Sequence, residues 1–214
     1  MRWLPLLRRA PDWQAEPARW VVVDVETSGL DPARDRLLAI AAVALRVDWP
    51  RRRLAIEAKD SFEVVLRQPL PSARDNILLH GIGAQRQLEG VEPGRALQAF
   101  AAYLGDAPLL AFHAAFDRKL IGRYLRAELG RELASPWLDI EHLCAALHPK
   151  QSARSLDEWL DVMGIACLAR HEAAADAWAE CELMLRLWPA VAAECSNWRQ
   201  LQRLARHHRW IGRA

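Results

Sequence analysis

Residues 19–32 have the sequence RWVVVDVETSGLDP, in which a β-branched apolar run meets two carboxylates, Asp24 and Glu26. β-Branched residues favour strands, and side chains two positions apart in a strand project from the same face. The two carboxylates are therefore expected side by side at the carboxyl end of a strand, and Gly29 and Pro32 mark the loop that follows. Because an unpartnered charge near a core is costly, this pair needs a cation.

The segments after this strand predict an α/β fold. Two apolar stretches, RLLAIAAVALRV and LAIEAKDSFEVVLR, flank the turn DWPRRR and predict an antiparallel meander, although its alanines leave the first stretch open to a helical interpretation. Later, the short strand patterns APLLAFHA and PWLDI alternate with amphipathic helical patterns, and SLDEWLDVMG begins with capping-box spacing. Strands first and strand–helix units later indicate a mixed sheet covered by helices.

The composition is typical of one globular protein. The 214 residues are 52% hydrophobic and 26% charged, which excludes a disordered chain. The longest apolar run, LLAIAAVAL, is far below the roughly 20 residues that cross a bilayer, and the lead MRWLPLLRRAPDW is too short and proline-broken for a secretory signal. The four cysteines form no CxxC and are expected to be reduced, and the ten tryptophans are expected to serve packing. We expect a soluble, cytoplasmic protein without a membrane partner.

The charge is unevenly distributed. The net charge of +2 is too small to indicate a nucleic-acid partner, but the last stretch, WRQLQRLARHHRWIGRA, holds five arginines and no acid. This basic tail is either a solvated helix face or a phosphate-binding surface, and both interpretations stay open. We expect a lead segment at 1–18, a main domain at 19–188 and a basic C-terminal helix within 189–214 that packs on or extends that domain.

Three further positions carry chemistry. Asp117, in AFHAAFDRKLIGRYL, lies at or near a predicted helix start, where an N-cap is the simpler interpretation. Asp176 follows His171 by five residues, which in a helix would turn the two side chains about 140° apart. If both face one site, His171 lies in a loop or irregular turn before the helix. A second acidic pair, Asp139 and Glu141, straddles a strand-to-helix junction and is expected to be structural.

Four carboxylates and one histidine suit phosphoryl-transfer chemistry. Hard divalent cations such as Mg²⁺ or Mn²⁺ prefer oxygen ligands, and two ions roughly 4 Å apart clamp the attacking and leaving oxygens of a phosphoryl displacement. The attacking water must also lose a proton, and a histidine, with an unperturbed pKa of about 6.5, suits that task near neutral pH.

The segments DVETSGL, FHAAFDRKLI and HEAAADA resemble, in this order, the three motifs of the DEDDh family of 3′-to-5′ exonucleases. The resemblance is strongest to the proofreading (epsilon) subunits of bacterial DNA polymerase III and covers about residues 19–188, where NILLHGI and SLDEWLDVMGI also resemble intermediate segments. It implies a ribonuclease H-like fold, with a mixed five-stranded sheet flanked by helices, and two divalent cations, Mg²⁺ or Mn²⁺.

The resemblance also implies individual roles. The implied metal ligands are Asp24, Glu26, Asp117 and Asp176, and the implied general base is His171. The implied substrate contacts are Thr27, Leu30, His80 and Phe116, the last by stacking on a base. The implied reaction releases nucleoside 5′-monophosphates from a single strand with a free 3′ end, most simply DNA.

Two departures bear on this expectation. The family's second motif usually has His-Asn, whereas Ala114 follows His113 here, which is expected to change substrate contacts more than activity. The sequence also shows no clamp-binding motif or long polymerase-binding tail, so a polymerase partner stays possible but is not supported by such a segment. The alternatives are an RNA-trimming or oligoribonucleotide-degrading exonuclease and a catalytically silent binding subunit; the presence of all five expected residues argues against silence.

Overall fold

The computed structural model describes the backbone of residues 16–167 and 169–211, and side chains up to residue 206. The expected lead segment falls largely outside these residues. Among them, no helix is both long and apolar enough to cross a membrane.

Five strands form one mixed sheet in the order β3-β2-β1-β4-β5. They are β1 (Arg19–Thr27), β2 (Leu37–Asp48), β3 (Arg53–Val65), β4 (Leu109–Ala111) and β5 (Trp137–Asp139). The first three form an antiparallel meander, and β4 and β5 run parallel to β1. The predicted mixed five-stranded sheet is confirmed.

The alanine-rich stretch is a strand because it pairs with a strand along each edge and is buried on both faces. β2 lies between β1 and β3, and every residue from 37 to 45 is buried. With both faces of the strand covered, the alternation that marks a half-buried strand is absent from the sequence, and small alanines fit between the layers. The helical interpretation of this stretch is wrong.

Helices cover both faces of the sheet. They are α1 (Arg74–His80), α2 (Ala84–Leu88), α3 (Pro93–Leu104), α4 (Ala115–Leu129), α5 (Ile140–Leu147), α6 (Leu156–Met163), α7 (Ala173–Glu194) and α8 (Trp198–Ile211). One core cluster joins the sheet to α3 and α4, and a second joins it to α5, α6, α7 and α8. The predicted capping box at the start of α6 is present.

A cluster of tryptophans holds the C-terminal helices on the sheet. Trp20 of β1 lies 5.8, 6.0 and 5.1 Å, between ring centroids, from Trp49, Trp188 and Trp198. Edge and tilted contacts of this kind stabilise the fold beyond what the buried area of the rings contributes. The expected boundary at residue 188 falls inside α7, and α8 lies against α5.

Candidate active site

The alternation of β1 decides where its two acids point. Trp20 and Val22 belong to the core on the α7 side, whereas Val21 and Val23 belong to the core on the α3 and α4 side. Asp24 shares the parity of Trp20 and Val22, and so does Glu26, so both carboxylates project toward α7. This is the arrangement that the DVE spacing predicts.

α7 supplies the third carboxylate of the cluster. Asp176 lies in the first turn of α7 and is buried. One carboxylate oxygen from each of Asp24, Glu26 and Asp176 lies within 4.8 Å of the other two, which is close enough for the three to hold one metal ion together. Three of the four predicted ligands therefore form one compact group.

Asp117 adjoins this group from the other side. α4 begins at Ala115, with Ala114 as its N-cap residue, so buried Asp117 lies inside the first turn and is not the N-cap. Its charge contributes to the raised pKa of both Asp24 and Glu26. The structure thus places Asp117 beside the cluster, although not within the three-residue group itself.

His171 occupies the irregular turn that the five-residue spacing predicts. Its φ of 66° is left-handed, and α7 begins two residues later at Ala173. The backbone N–H of His171 donates to Oδ2 of Asp176 at 3.1 Å, so the turn is tied to a cluster carboxylate. The residue is exposed, which leaves the imidazole accessible from solvent.

Arg170 is a site residue that sequence reasoning missed. Its guanidinium forms ion pairs with Asp176 in the cluster and with Asp157 of α6. Asp176 therefore has a basic partner six residues before it in the chain. The sequence signal for Arg170 was its position directly before His171. That signal is weak, because most arginines in turns are solvated surface residues.

Glu180 is the second missed residue. It lies four positions after Asp176 in α7, on the same helix face, and is 1% exposed. Its Oε2 accepts a hydrogen bond from the backbone N–H of Phe112 at 3.1 Å, just after β4. The i, i+4 spacing in DAWAE was a signal for it.

The cluster is electrostatically strained without a cation. Burial, followed by the charges of Glu180, Asp117 and Glu26, raises the pKa of Asp24 well above its usual range. Burial also raises the pKa of Glu26 to about 8, and that of Asp117 to about 8. Buried carboxylates of like charge repel one another, and an all-oxygen donor set is what hard divalent cations prefer. The residues present therefore fit a divalent metal.

The loop after β1 has an internal hydrogen bond and presents an apolar tip. Thr27 Oγ1 donates to the carbonyl of Gly29 at 2.6 Å. A Cβ on Gly29 would lie 2.6 Å from the Asp35 carboxylate, so a larger residue there would displace that side chain. The next residue, Leu30, is 91% exposed.

His80 requires a correction. The resemblance made it a substrate contact, but the residue is 2% exposed, at the end of α1. Its Nδ1 accepts from the Ile82 N–H at 2.9 Å, so Nε2 carries the proton and donates to Asn76 Oδ1 at 3.0 Å. Burial lowers the pKa of His80, in keeping with a neutral ring. With both nitrogens engaged inside the protein, His80 fixes α1 and does not face a substrate.

The two remaining positions are Phe116 and Asp139. Phe116 is partly buried beside Asp117 and packs on the α3 and α4 core, so its role as a base-stacking residue stays a prediction. Asp139 caps α5 by accepting the Glu141 N–H at 3.1 Å, which confirms the structural interpretation of that pair. Asp139 also adds to the raised pKa of Asp117, so it belongs to the electrostatic surroundings of the site.

The fold is a ribonuclease H-like sheet, and the site at its centre is a buried carboxylate cluster that fits a divalent metal. Residues 21–184 match the RNase_T family, described as Exonuclease, and the chain belongs to this exonuclease family. Its sheet order, motifs and acidic cluster agree with the DEDDh 3′-to-5′ exonucleases that its sequence resembles.

This chain is similar in sequence to DNA polymerase III PolC-type proteins and in structure to solved exonucleases. A DNA polymerase III PolC-type protein of Thermotoga petrophila is 26% identical over 184 residues, which are 85% of this chain and 13% of that protein. The chain thus spans about an eighth of the length of that relative. E. coli exonuclease I in complex with a dA16 oligonucleotide has a TM-score of 0.62 at 18% identity, over 83% of this chain and 43% of the other. Exonuclease X in complex with 5′ overhanging duplex DNA has a TM-score of 0.65 at 16% identity, over 87% and 99%.

Proposed function

We propose that this protein removes nucleotides one at a time from the 3′ end of single-stranded DNA and releases nucleoside 5′-monophosphates. The observation that carries the proposal is the meeting of Asp24, Glu26 and Asp176 within 4.8 Å, beside Asp117 and at the start of the helix that follows His171. The oligonucleotide bound to exonuclease I in the similar structure supports a single-stranded substrate.

The proposed mechanism assigns the cluster to two divalent cations, Mg²⁺ or Mn²⁺. Asp24, Glu26, Asp117 and Asp176 would hold them, and their chemistry is to stabilise the charge that develops on the attacking and leaving oxygens. His171 takes the proton from the attacking water, since its ring is accessible and its turn is fixed through the backbone bond to Asp176.

The strand end is received by the loop after β1. Leu30 offers an exposed apolar side chain for the terminal base, and Thr27 shapes the loop through its bond to Gly29. Phe116, on the first turn of α4 beside Asp117, would stack on a base.

The proposal is tested with purified protein and strands labelled at the 5′ end. We expect stepwise shortening of DNA in Mg²⁺ or Mn²⁺, protection by a 3′-phosphate and no protection by a 5′ block. Cleavage of a closed circle would contradict a 3′-end mechanism. Parallel reactions with RNA and with short oligoribonucleotides test the RNA-directed alternative, and binding without shortening under every metal condition would identify a silent binding subunit.

A further inference from the structure

A basic cleft lies beside the N-terminus of α4. Its volume is about 940 Å³, and its walls come from α4, the end of β5, α5 and α8. Its charged and hydrogen-bonding lining residues are His113, Arg118, Lys119, Arg126, Asp139, His142, Gln202 and Arg206. None of the roles assigned above uses this cleft, which we call the α4–α8 cleft.

Most charged residues that line the cleft are cations. Four of its lining residues are arginine or lysine, and Asp139 is its one acid. Asp139 is already occupied as the N-cap of α5, and Arg126 is paired with Glu132 at 2.9 Å. Arg118, Lys119 and Arg206 are exposed and form no ion pair with any residue that the structure describes. In a chain whose net charge is only +2, this is a local concentration of cations.

The cleft also contains flat rings. Trp137 and His142 line it from β5 and α5, and His113 lines it from the turn before α4. Cations that follow a backbone, together with rings on which bases stack, are the combination found in channels that bind single strands. A small anion would need only the cations, and an acidic protein surface would not need the rings.

The cleft is continuous with the catalytic site. His113, Ala114 and Ala115 line it and lead directly into the first turn of α4, which carries Asp117. Asp139 lines the cleft and is close enough to Asp117 to raise its pKa. A strand whose 3′ end lies at the carboxylate cluster therefore has a basic path open to it past the start of α4.

We infer that the α4–α8 cleft binds the phosphates and bases of the single strand that lie 5′ of the cleaved bond. This inference rests on the proposed function for the identity of the strand, and it gives the basic tail its role through Arg206. The cleft supplies cations for the phosphates of the strand outside the negatively charged metal cluster. It contributes affinity for long strands and leaves the chemical step unaffected.

The test compares a long and a minimal substrate in the full chain. The variant Arg118→Ala/Lys119→Ala/Arg206→Ala should raise the KM for oligothymidylate of about 20 nucleotides by about tenfold or more, with kcat unchanged. Hydrolysis of the p-nitrophenyl ester of thymidine 5′-monophosphate, which has no 5′ strand, should be unchanged. The matched control Arg53→Ala/Lys59→Ala/Arg95→Ala removes three exposed cations that do not line the cleft and should leave both substrates unaffected.

A binding measurement separates this inference from the proposed function. In chelator, fluorescence anisotropy reports the affinity for the long strand without hydrolysis. For single strands, the logarithm of the binding constant falls with the logarithm of the salt concentration, with a slope of about 0.7 per phosphate contact. The cleft variant removes three cations, so this slope should be shallower by about 2 than that of wild type. The inference that the cleft binds the strand would be overturned if the cleft variant kept the wild-type salt slope and KM. It would also be overturned if the variant lost as much activity on the minimal substrate as on the long strand. Binding with this slope change but no hydrolysis by wild type would overturn only the proposed function.

Discussion

At the scale of the residue, the backbone at His171 decides how its role is tested. Alanine in the left-handed region costs about 1 kcal/mol, whereas asparagine tolerates it. His171→Asn removes the base and keeps the backbone N–H that bonds Asp176. We expect turnover to fall by roughly 10²–10⁴-fold at saturating metal, with an unchanged thermal midpoint. Turnover close to that of wild type would make His171 a bystander.

Arg170 competes with cations for Asp176. Removal of its guanidinium leaves the cluster more negative, so Arg170→Ala should bind metal more tightly and be less stable in chelator. A metal titration of activity at about pH 8.5, above the pKa values of about 8 for Glu26 and Asp117, should give a lower half-saturating concentration than wild type. Asp157→Asn, which removes the other partner of Arg170, is the control. A higher half-saturating concentration for Arg170→Ala would mean that Arg170 assists metal binding.

Among the elements, α1 holds the loop after β1, which we propose receives the strand end. Asn76 Nδ2 donates to the carbonyl of Thr27 at 2.8 Å, and His80 fixes the orientation of that amide. Asn76→Ala should lower kcat by about tenfold, because small displacements of catalytic groups are costly, and should reduce stability by about 1 kcal/mol. Gln85→Ala removes an exposed amide of α2 and should change neither. If the two variants behave alike, α1 does not position the loop.

The elements show what the sequence could and could not predict. Alternation in β1 placed Asp24 and Glu26 on one face, and the five-residue spacing placed His171 in a turn, because both follow from backbone periodicity. Glu180 and the burial of His80 depend on which distant segments pack together, and a local pattern does not contain that information. β2 was ambiguous for the same reason, since its neighbours and not its alanines decide its conformation.

At the scale of the whole molecule, the acidic cluster makes stability depend on pH. Glu26 and Asp117 have pKa values of about 8 when folded, against about 4 in an unfolded chain. Between these values the folded protein binds more protons than the unfolded one, so the free energy of unfolding falls as the pH rises through about 8. In chelator, the thermal midpoint should be lower at about pH 8.5 than at about pH 5.5. A divalent cation should raise it most at the higher pH, and a chelated midpoint that rises with pH would contradict the crowding of these carboxylates.

We propose that the carboxylate cluster is a metal site at which nucleic acid is hydrolysed from its 3′ end. The most direct measurement follows a strand labelled at its 5′ end with wild type and with Asp24→Asn, each in Mn²⁺ and in excess chelator. We expect shortening from the 3′ end only for wild type in Mn²⁺. Asp24→Asn should stay folded and be at least as stable as wild type in chelator, because it relieves clustered negative charge. Full hydrolysis in excess chelator, or by Asp24→Asn in Mn²⁺, would contradict it.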